Sequence, residues 1–108
     1  MGQVIYKVNP LTYNFTIFKR YREIDDVMYY YHKFPLTKYK SHSATITTLE
    51  CEICINSETG DVFVDVYDSN RNLYTPYYIN KFGGHDYIVN KIREEIHKET
   101  IKLGIEVL

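Results

Sequence analysis

Two cysteines, Cys51 and Cys54, have the CxxC spacing of many zinc and redox sites. A zinc site of this kind places the pair on a turn, so that both thiolates point at one ion. Here the pair falls within a predicted strand, where residues three apart point to opposite faces. The chain has no other cysteine. We therefore expect no metal site and no cofactor, with Cys51 in the core and Cys54 on the other face.

Six acidic residues and no basic one lie between positions 50 and 68. Neighbouring strands could bring Glu52 and Asp65 to one face, where paired carboxylates can hold a divalent cation for phosphodiester hydrolysis. The stretch lacks the lysine that such nucleases use, so a solvated sheet face is the simpler interpretation. A small metal-dependent nuclease or toxin is kept as a second alternative. The acidic candidates are Glu50, Glu52, Asp61, Asp65 and Asp68.

The segment Gly83, Gly84, His85 precedes a predicted helix. Glycines before a helix can direct free N–H groups at an anion, although Asp86 would repel a phosphate. This is a weak anion-binding candidate beside the simpler interpretation of a helix cap. No nucleophile lies in a recognisable motif, and no histidine is paired with an evident acid, so we expect no enzymatic activity.

Tyrosine is unusually abundant, with 12 residues in a chain of 108 that has no tryptophan. Tyrosine suits interfaces because its ring buries area while its hydroxyl stays wet. Strand alternation predicts four rings on one sheet face, with two more lying off a helix stripe. Such a patch marks a partner site, unless an N-terminal hairpin or a second subunit covers it, and both arrangements stay open. The candidates are Phe63, Tyr67, Tyr74 and Tyr78 on the sheet, with Tyr29 and Tyr30 on the helix.

The elements that must position these side chains begin with a hairpin, predicted from the apolar run Val4–Val8 and the alternation over 13–17. Apolar residues at helical spacing then predict a helix over 22–34. Asp25 and Asp26 fall in its first turn, where the helix dipole favours negative charge.

Three strands and a second helix are expected after a basic loop over 35–43. The strands are predicted at 49–55, 62–66 and 73–79, the last at an edge because of Pro76. A long helix is predicted from 85 to 103 with a glycine cap, followed by a short strand or an apolar tail. The order β-β-α-β-β-β-α predicts one α+β domain over 1–108. Its antiparallel sheet consists of a three-stranded meander plus the N-terminal hairpin, with both helices on one face.

Size and charge bound the function further. A chain of 108 residues and 12.9 kDa is one domain's worth of sequence. No signal peptide or membrane span is evident, which predicts a cytoplasmic protein. Residues 1–42 carry seven basic and three acidic residues, a net of +4, whereas residues 43–108 carry six basic and eleven acidic, a net of −5. A fold that gathers each half on one side would be a dipole, but we expect the halves to interleave and cancel.

The sequence therefore favours a small non-enzymatic protein-binding factor. Its most specific form is a phage or mobile-element accessory protein that binds and inhibits a host defence or nucleic-acid-processing enzyme. A homodimer is compatible with the same surfaces. The alternative is a single-stranded nucleic-acid-binding module that stacks bases on sheet tyrosines. Its phosphate contacts would come from Arg20, Arg22, Lys38 and Lys40.

Overall fold

The computed structural model describes residues 6–36, 39–40, 46–79 and 87–107. Within them the chain has an α+β architecture, as predicted, although the order of elements differs. The strands are β1 (Tyr6–Lys7), β2 (Arg20–Ile24), β3 (Val27–Pro35), β4 (Tyr39–Lys40), β5 (Ile46–Thr47), β6 (Leu49–Asn56), β7 (Asp61–Asp68) and β8 (Glu106–Val107); the helices are α1 (Thr75–Ile79) and α2 (Tyr87–Lys102). Six strands form one antiparallel sheet in the order β2-β3-β6-β7-β1-β8, and β4 pairs with β5 separately.

The hairpin β6–β7 lies at the centre of the sheet and confirms the strongest prediction from the sequence. Every second residue from Leu49 to Ile55 is buried, and Val62, Val64 and Val66 are buried opposite them. Strand geometry sends alternate side chains to opposite faces. The buried set therefore defines an inner face, and the partly exposed set defines an outer face.

Helix α2 covers the inner face and confirms the predicted long helix. Val89, Ile92 and Ile96 are at most 1% exposed and belong with the sheet's buried side chains to the core. Thr100 continues this stripe, and its hydroxyl donates to the His97 carbonyl at 2.8 Å. Gly104 follows with a positive φ of 72°, as expected of a helix cap. Among the described residues, no helix is long and apolar enough to cross a membrane.

The predicted helix over 22–34 is wrong, because this segment forms the hairpin β2–β3. Asp25 and Asp26, placed by the sequence in a first helical turn, have φ of 50° and 65° and form the hairpin turn. Paired positive φ values suit the twist of adjacent strands, and aspartate tolerates them. The aromatic and β-branched residues that follow pack well on a pleated surface. Strand β3 then pairs with β6 from Tyr29 to Pro35.

The predicted N-terminal hairpin is also wrong. Strand β1 pairs with β7 and β8, and Phe15–Ile17 is a 3₁₀ turn. Asn14 starts that turn because its side chain accepts a hydrogen bond from the Thr16 amide at 3.1 Å. Phe15 then stacks on Tyr30 with ring centroids 4.8 Å apart. The segment 13–17, predicted as a strand, therefore forms a turn whose Phe15 ring packs on the inner face of β3.

The predicted third strand of the meander is the short helix α1. Leu73 makes a single antiparallel bridge with Tyr67, and the chain then turns into the helix. Pro76 lies in the first helical turn, where its missing N–H costs no hydrogen bond. The proline that indicated an edge strand thus marks a helix start. The short C-terminal strand over 106–107 agrees with one of the two predicted outcomes.

Two glycines with positive φ give a matched test of the turn after β6. A Cβ atom at Gly60 (φ 78°) would lie 2.0 Å from the Val8 carbonyl oxygen, whereas one at Gly104 would lie 3.9 Å from the Tyr13 ring. We expect Gly104→Ala to cost about 1 kcal/mol of unfolding free energy from backbone strain alone. Gly60→Ala should cost more than about 3 kcal/mol, because a backbone clash is added. Urea unfolding measures both, and equal losses would contradict the close approach of Val8.

The two cysteines test the assignment of faces. Cys51 is fully buried on the inner face, and Cys54 is partly exposed on the outer face. Serine at 51 places a hydroxyl in an apolar core, which should cost about 1–3 kcal/mol. Cys54→Ser should cost less than about 1 kcal/mol, since the hydroxyl stays near water. Equal midpoints in urea unfolding would show that the faces are wrongly assigned.

Candidate functional site

The outer face of the sheet brings tyrosines, arginines and carboxylates together on one surface. Its residues point away from α2, and each keeps part of its surface exposed. The register between strands arranges them in rows across the sheet. They include Arg20 and Arg22 on β2; Tyr29, Tyr31 and Lys33 on β3; Glu50, Glu52 and Cys54 on β6; and Asp61, Phe63, Asp65 and Tyr67 on β7.

One of these rows is aromatic. Tyr31 lies opposite Cys54, and Cys54 lies opposite Phe63, while Tyr29 lies two residues before Tyr31 on the same face. The Tyr31 and Cys54 side chains share a hydrogen bond. Burial, followed by the neighbouring Cys54, raises the pKa of Tyr31. Burial likewise raises the pKa of Cys54 to about 11, so both groups are neutral at physiological pH. This aromatic row presents the rings of Tyr31 and Phe63 and the Cys54 thiol, with Tyr29 in the next row of the same face.

Charge on the outer face is divided between two pairs of strands. The charged residues of β2 and β3 on this face, Arg20, Arg22 and Lys33, are all basic. Those of β6 and β7 are all acidic, namely Glu50, Glu52, Asp61 and Asp65. The expected cancellation is therefore wrong for these four strands. The reason is the strand order, which keeps β2 beside β3 and β6 beside β7.

The acidic half is partly neutralised at one end. A Glu50 carboxylate oxygen lies 3.1 Å from Arg71 Nη1 and 3.8 Å from Lys33 Nζ. The Arg71 guanidinium also lies over the Tyr67 ring, 5.4 Å from its centroid. At the other margin, Lys7 of β1 is the cross-strand neighbour of Asp61. Among the ion pairs of the described residues, none involves Arg20 or Arg22.

Two of the four rings predicted on this face, Tyr74 and Tyr78, lie instead along the edge of β7. The Tyr78 hydroxyl donates to Asp65 Oδ1 at 2.8 Å and accepts from the Val66 amide at 3.2 Å. Burial, together with the hydrogen bond to Asp65, raises the pKa of Tyr78. Tyr74 packs against the core, and its amide donates to the Val66 carbonyl. Since 73–79 is not a strand, its tyrosines do not join Phe63 and Tyr67 on the outer face.

The remaining predicted candidates separate in the structure. Glu52 and Asp65 are cross-strand partners, as the sequence suggested. Tyr30 points to the inner face and stacks on Phe15, so it does not accompany Tyr29. Asp68 accepts hydrogen bonds from the Asn70 and Asn72 amides and closes a turn. Lys38 and the anion-binding candidates Gly83, Gly84 and His85 lie outside the described residues, as does the side chain of Lys40.

Sequence reasoning missed Tyr31, Lys33 and Arg71. The first two fall within the segment 22–34, which the sequence predicted as a helix. A period of two over 29, 31 and 33 was the signal that could have placed them with Tyr29. Arg71 lies between the predicted strands 62–66 and 73–79, and it has a positive φ of 67°. Nothing in the sequence pattern indicates that its guanidinium reaches Glu50.

A histidine–glutamate pair on the inner face was also missed. His32 Nε2 lies 2.7 Å from Glu99 Oε2, which joins β3 to α2. The His32 ring also contacts the rings of Phe18 and Phe34. Neither phenylalanine carries a nucleophilic group that His32 could activate. In the described part of the chain, no three His, Cys, Asp or Glu side chains are grouped as metal ligands.

A shallow cleft lies between the N-terminal loop and the end of α2. Its volume is about 440 Å³. Its walls include Tyr13, Asn14, Lys102 and Glu106. The Tyr13 hydroxyl donates to the Leu103 carbonyl across it, and burial raises the pKa of Tyr13 to about 12. This hydrogen bond ties the N-terminal loop to the end of α2.

Comparison of the chain with protein-family models, with curated proteins and with solved structures gives no match. The geometry of the outer face is therefore the feature that bears on function.

Tyr78 and Tyr67 form a matched pair that tests the role of the sheet edge. Tyr78→Phe removes the hydrogen bond to Asp65 and leaves the Val66 amide without its acceptor, so it should cost about 1–3 kcal/mol of unfolding free energy. Tyr67→Phe should change stability by less than about 0.5 kcal/mol. Urea unfolding measures both, and a neutral Tyr78→Phe would contradict the edge contact.

The raised pKa of Tyr78 also predicts how the stability of the wild type and of Tyr78→Phe should differ with pH. Its contribution to stability is present in full below the ordinary tyrosine pKa of 10.0. It is lost as the pH rises from there through the higher pKa of the folded state. The wild type should therefore lose more stability above pH 10 than Tyr78→Phe does. Parallel curves for the two proteins would show that Tyr78 is not the group responsible.

Proposed function

We propose that the protein is a non-enzymatic binding module whose outer face docks a partner protein. The supporting observation is the composition of that face. The half-buried residues Tyr31 and Tyr29 are the cross-strand neighbours of Arg20 and Arg22, and Phe63 lies in the row of Tyr31 on the far side of β6. Tyrosine and arginine are the residues that most often anchor protein interfaces.

The charges on this face define the chemistry of the partner. A surface that fits should present carboxylates toward Arg20 and Arg22 and basic groups toward Glu52 and Asp61. Charge complementarity of this kind sets orientation and association rate more than raw affinity. The inhibitor of a host enzyme suggested by the sequence is one form of this proposal. Its narrower version, in which carboxylates imitate a nucleic acid, has less support because two cations already contact Glu50.

Single-stranded nucleic acid is the second candidate, and one observation favours it. Arg20 and Arg22 adjoin the sheet tyrosines Tyr29 and Tyr31, as a site that stacks bases and holds phosphates requires. The carboxylates of Glu52 and Asp65 occupy the same face and repel a phosphate backbone. We therefore rank it below a protein partner.

Site-specific photocrosslinking tests the proposal. Benzoylphenylalanine at position 29 samples the outer face, and the same residue at position 21 is the control. Tyr21 lies on β2 of the same hairpin and is 65% exposed, but it points to the inner face of the sheet. Irradiated source cells should yield a protein adduct from position 29 and not from position 21. Equal adducts from both positions would contradict a site on the outer face.

The crosslinked protein is then purified, and its affinity is measured with the wild type and with Tyr29→Ser/Tyr31→Ser. Loss of two anchors should weaken binding at least about 30-fold, since one anchor is worth about 2 kcal/mol. Unchanged affinity would overturn the proposal. A labelled oligo-dT or oligo-U of about 20 nucleotides is titrated in parallel. Sub-micromolar, salt-dependent binding to it would favour the nucleic-acid candidate instead.

A further inference from the structure

We infer that a second copy of this chain is a partner of the outer face, in a twofold dimer that packs two sheets face to face. The inference depends on the proposed function, because it names an occupant for the same surface. A twofold interface uses one patch on both subunits, so the patch must be complementary to itself. The separation of charge between β2–β3 and β6–β7 meets that requirement.

The geometry follows from the order of the strands. A twofold axis parallel to the strands, running between β3 and β6, exchanges β2 with β7 and β3 with β6. The basic strands of each copy then lie over the acidic strands of the other. No other twofold placement within the face brings both halves together in this way, because an axis perpendicular to the strands leaves like charges opposed.

The rows across the sheet specify which residues meet. Lys33 and Glu52 are cross-strand partners that flank the axis, so Lys33 of each copy faces Glu52 of the other. Arg22 lies in the row of Tyr29 and Asn56. Asp61 continues that row on β7, one residue before Val62, the partner of Ile55, and Lys7 follows it on β1. Arg22 therefore faces Asp61.

The aromatic row lies near the axis as well. Tyr31 and Cys54 are cross-strand partners on either side of it, so each tyrosine ring meets the thiol of the other copy. Both groups are neutral, which removes any cost of burying a charge at the centre. Aligned sheets cross at about 30°, and residues nearest the axis keep their partners despite that angle. The dimer therefore has a neutral patch on the axis, the Lys33–Glu52 contacts beside that patch along the strands, and the Arg22–Asp61 contacts at its margins.

The available area sets the expected strength. Four strands at about 4.8 Å spacing and about seven residues along each give roughly 450 Å² of flat sheet per copy. That area is at the small end of specific interfaces. We therefore expect a dissociation constant in the micromolar range, weakened by added salt because the margins are ionic.

Charge reversal tests the arrangement. Variant one, Arg22→Glu/Lys33→Glu, makes the charges of these rows acidic, and variant two, Glu52→Lys/Asp61→Lys, makes them basic. Each variant alone opposes like charges at all four of these contacts, so its self-association should be at least about tenfold weaker than that of the wild type. An equimolar mixture restores all four contacts and should form a heterodimer at least as tightly as the wild type forms its homodimer.

Sedimentation velocity over about 1–500 µM measures the association. The control, Lys98→Glu/Lys102→Glu, makes the same change in net charge as variant one but on α2, across the sheet from the outer face, and should dimerise normally. Circular dichroism and urea unfolding verify that each variant is folded. A variant that does not fold is replaced by its single substitution, Arg22→Glu or Asp61→Lys.

The outcomes separate this inference from the proposed function. A wild type that stays monomeric to about 500 µM overturns the dimer, as does a mixture no more associated than its components. If the monomeric wild type still yields a heterologous adduct from position 29, the outer face remains a docking surface and only the second copy is excluded. If neither a homodimer nor a heterologous partner uses this face, both ideas fail.

Discussion

Burial of one face of the hairpin β6–β7 against α2 is the constraint on which the rest of the structure depends. Because strand side chains alternate, packing Cys51, Ile53 and Ile55 under the helix sends Glu50, Glu52 and Cys54 to the other side. A slip of one residue would exchange these sets and bury two carboxylates, which is prohibitive without partners. The inner core therefore fixes the composition of the outer face.

Strand order converts this local rule into a charge pattern. The basic first part of the chain supplies β2 and β3, and the acidic later part supplies β6 and β7. Because each pair is a hairpin, its members stay adjacent, and the two hairpins meet at β3–β6. The difference in net charge between the two parts of the sequence thus becomes a basic half and an acidic half of one surface. Binding is proposed where the halves and the aromatic row meet.

The sequence predicted what depends on local periodicity and failed where two periodicities competed. The alternation over 49–66 and the stripe of α2 have single explanations, and both are confirmed. The segment 22–34 matches helical spacing, yet its aspartate turn and pairing with β6 select a strand. That one error hid Tyr31 and Lys33 and misplaced Tyr30. The edge role of Tyr78 depends on α1, which no local pattern indicated.

Paramagnetic relaxation of the assigned side-chain signals, at a concentration where the protein is monomeric, tests the central claim most directly. A cationic nitroxide should broaden Glu52, Asp61 and Phe63 more than an anionic one does. The anionic nitroxide should instead broaden the arginines of β2 more strongly, because each probe concentrates near opposite charge. The core residue Ile53 should be unaffected by either. Equal broadening of both halves by the two probes, or none at the aromatic row, would contradict an accessible outer face with separated charge.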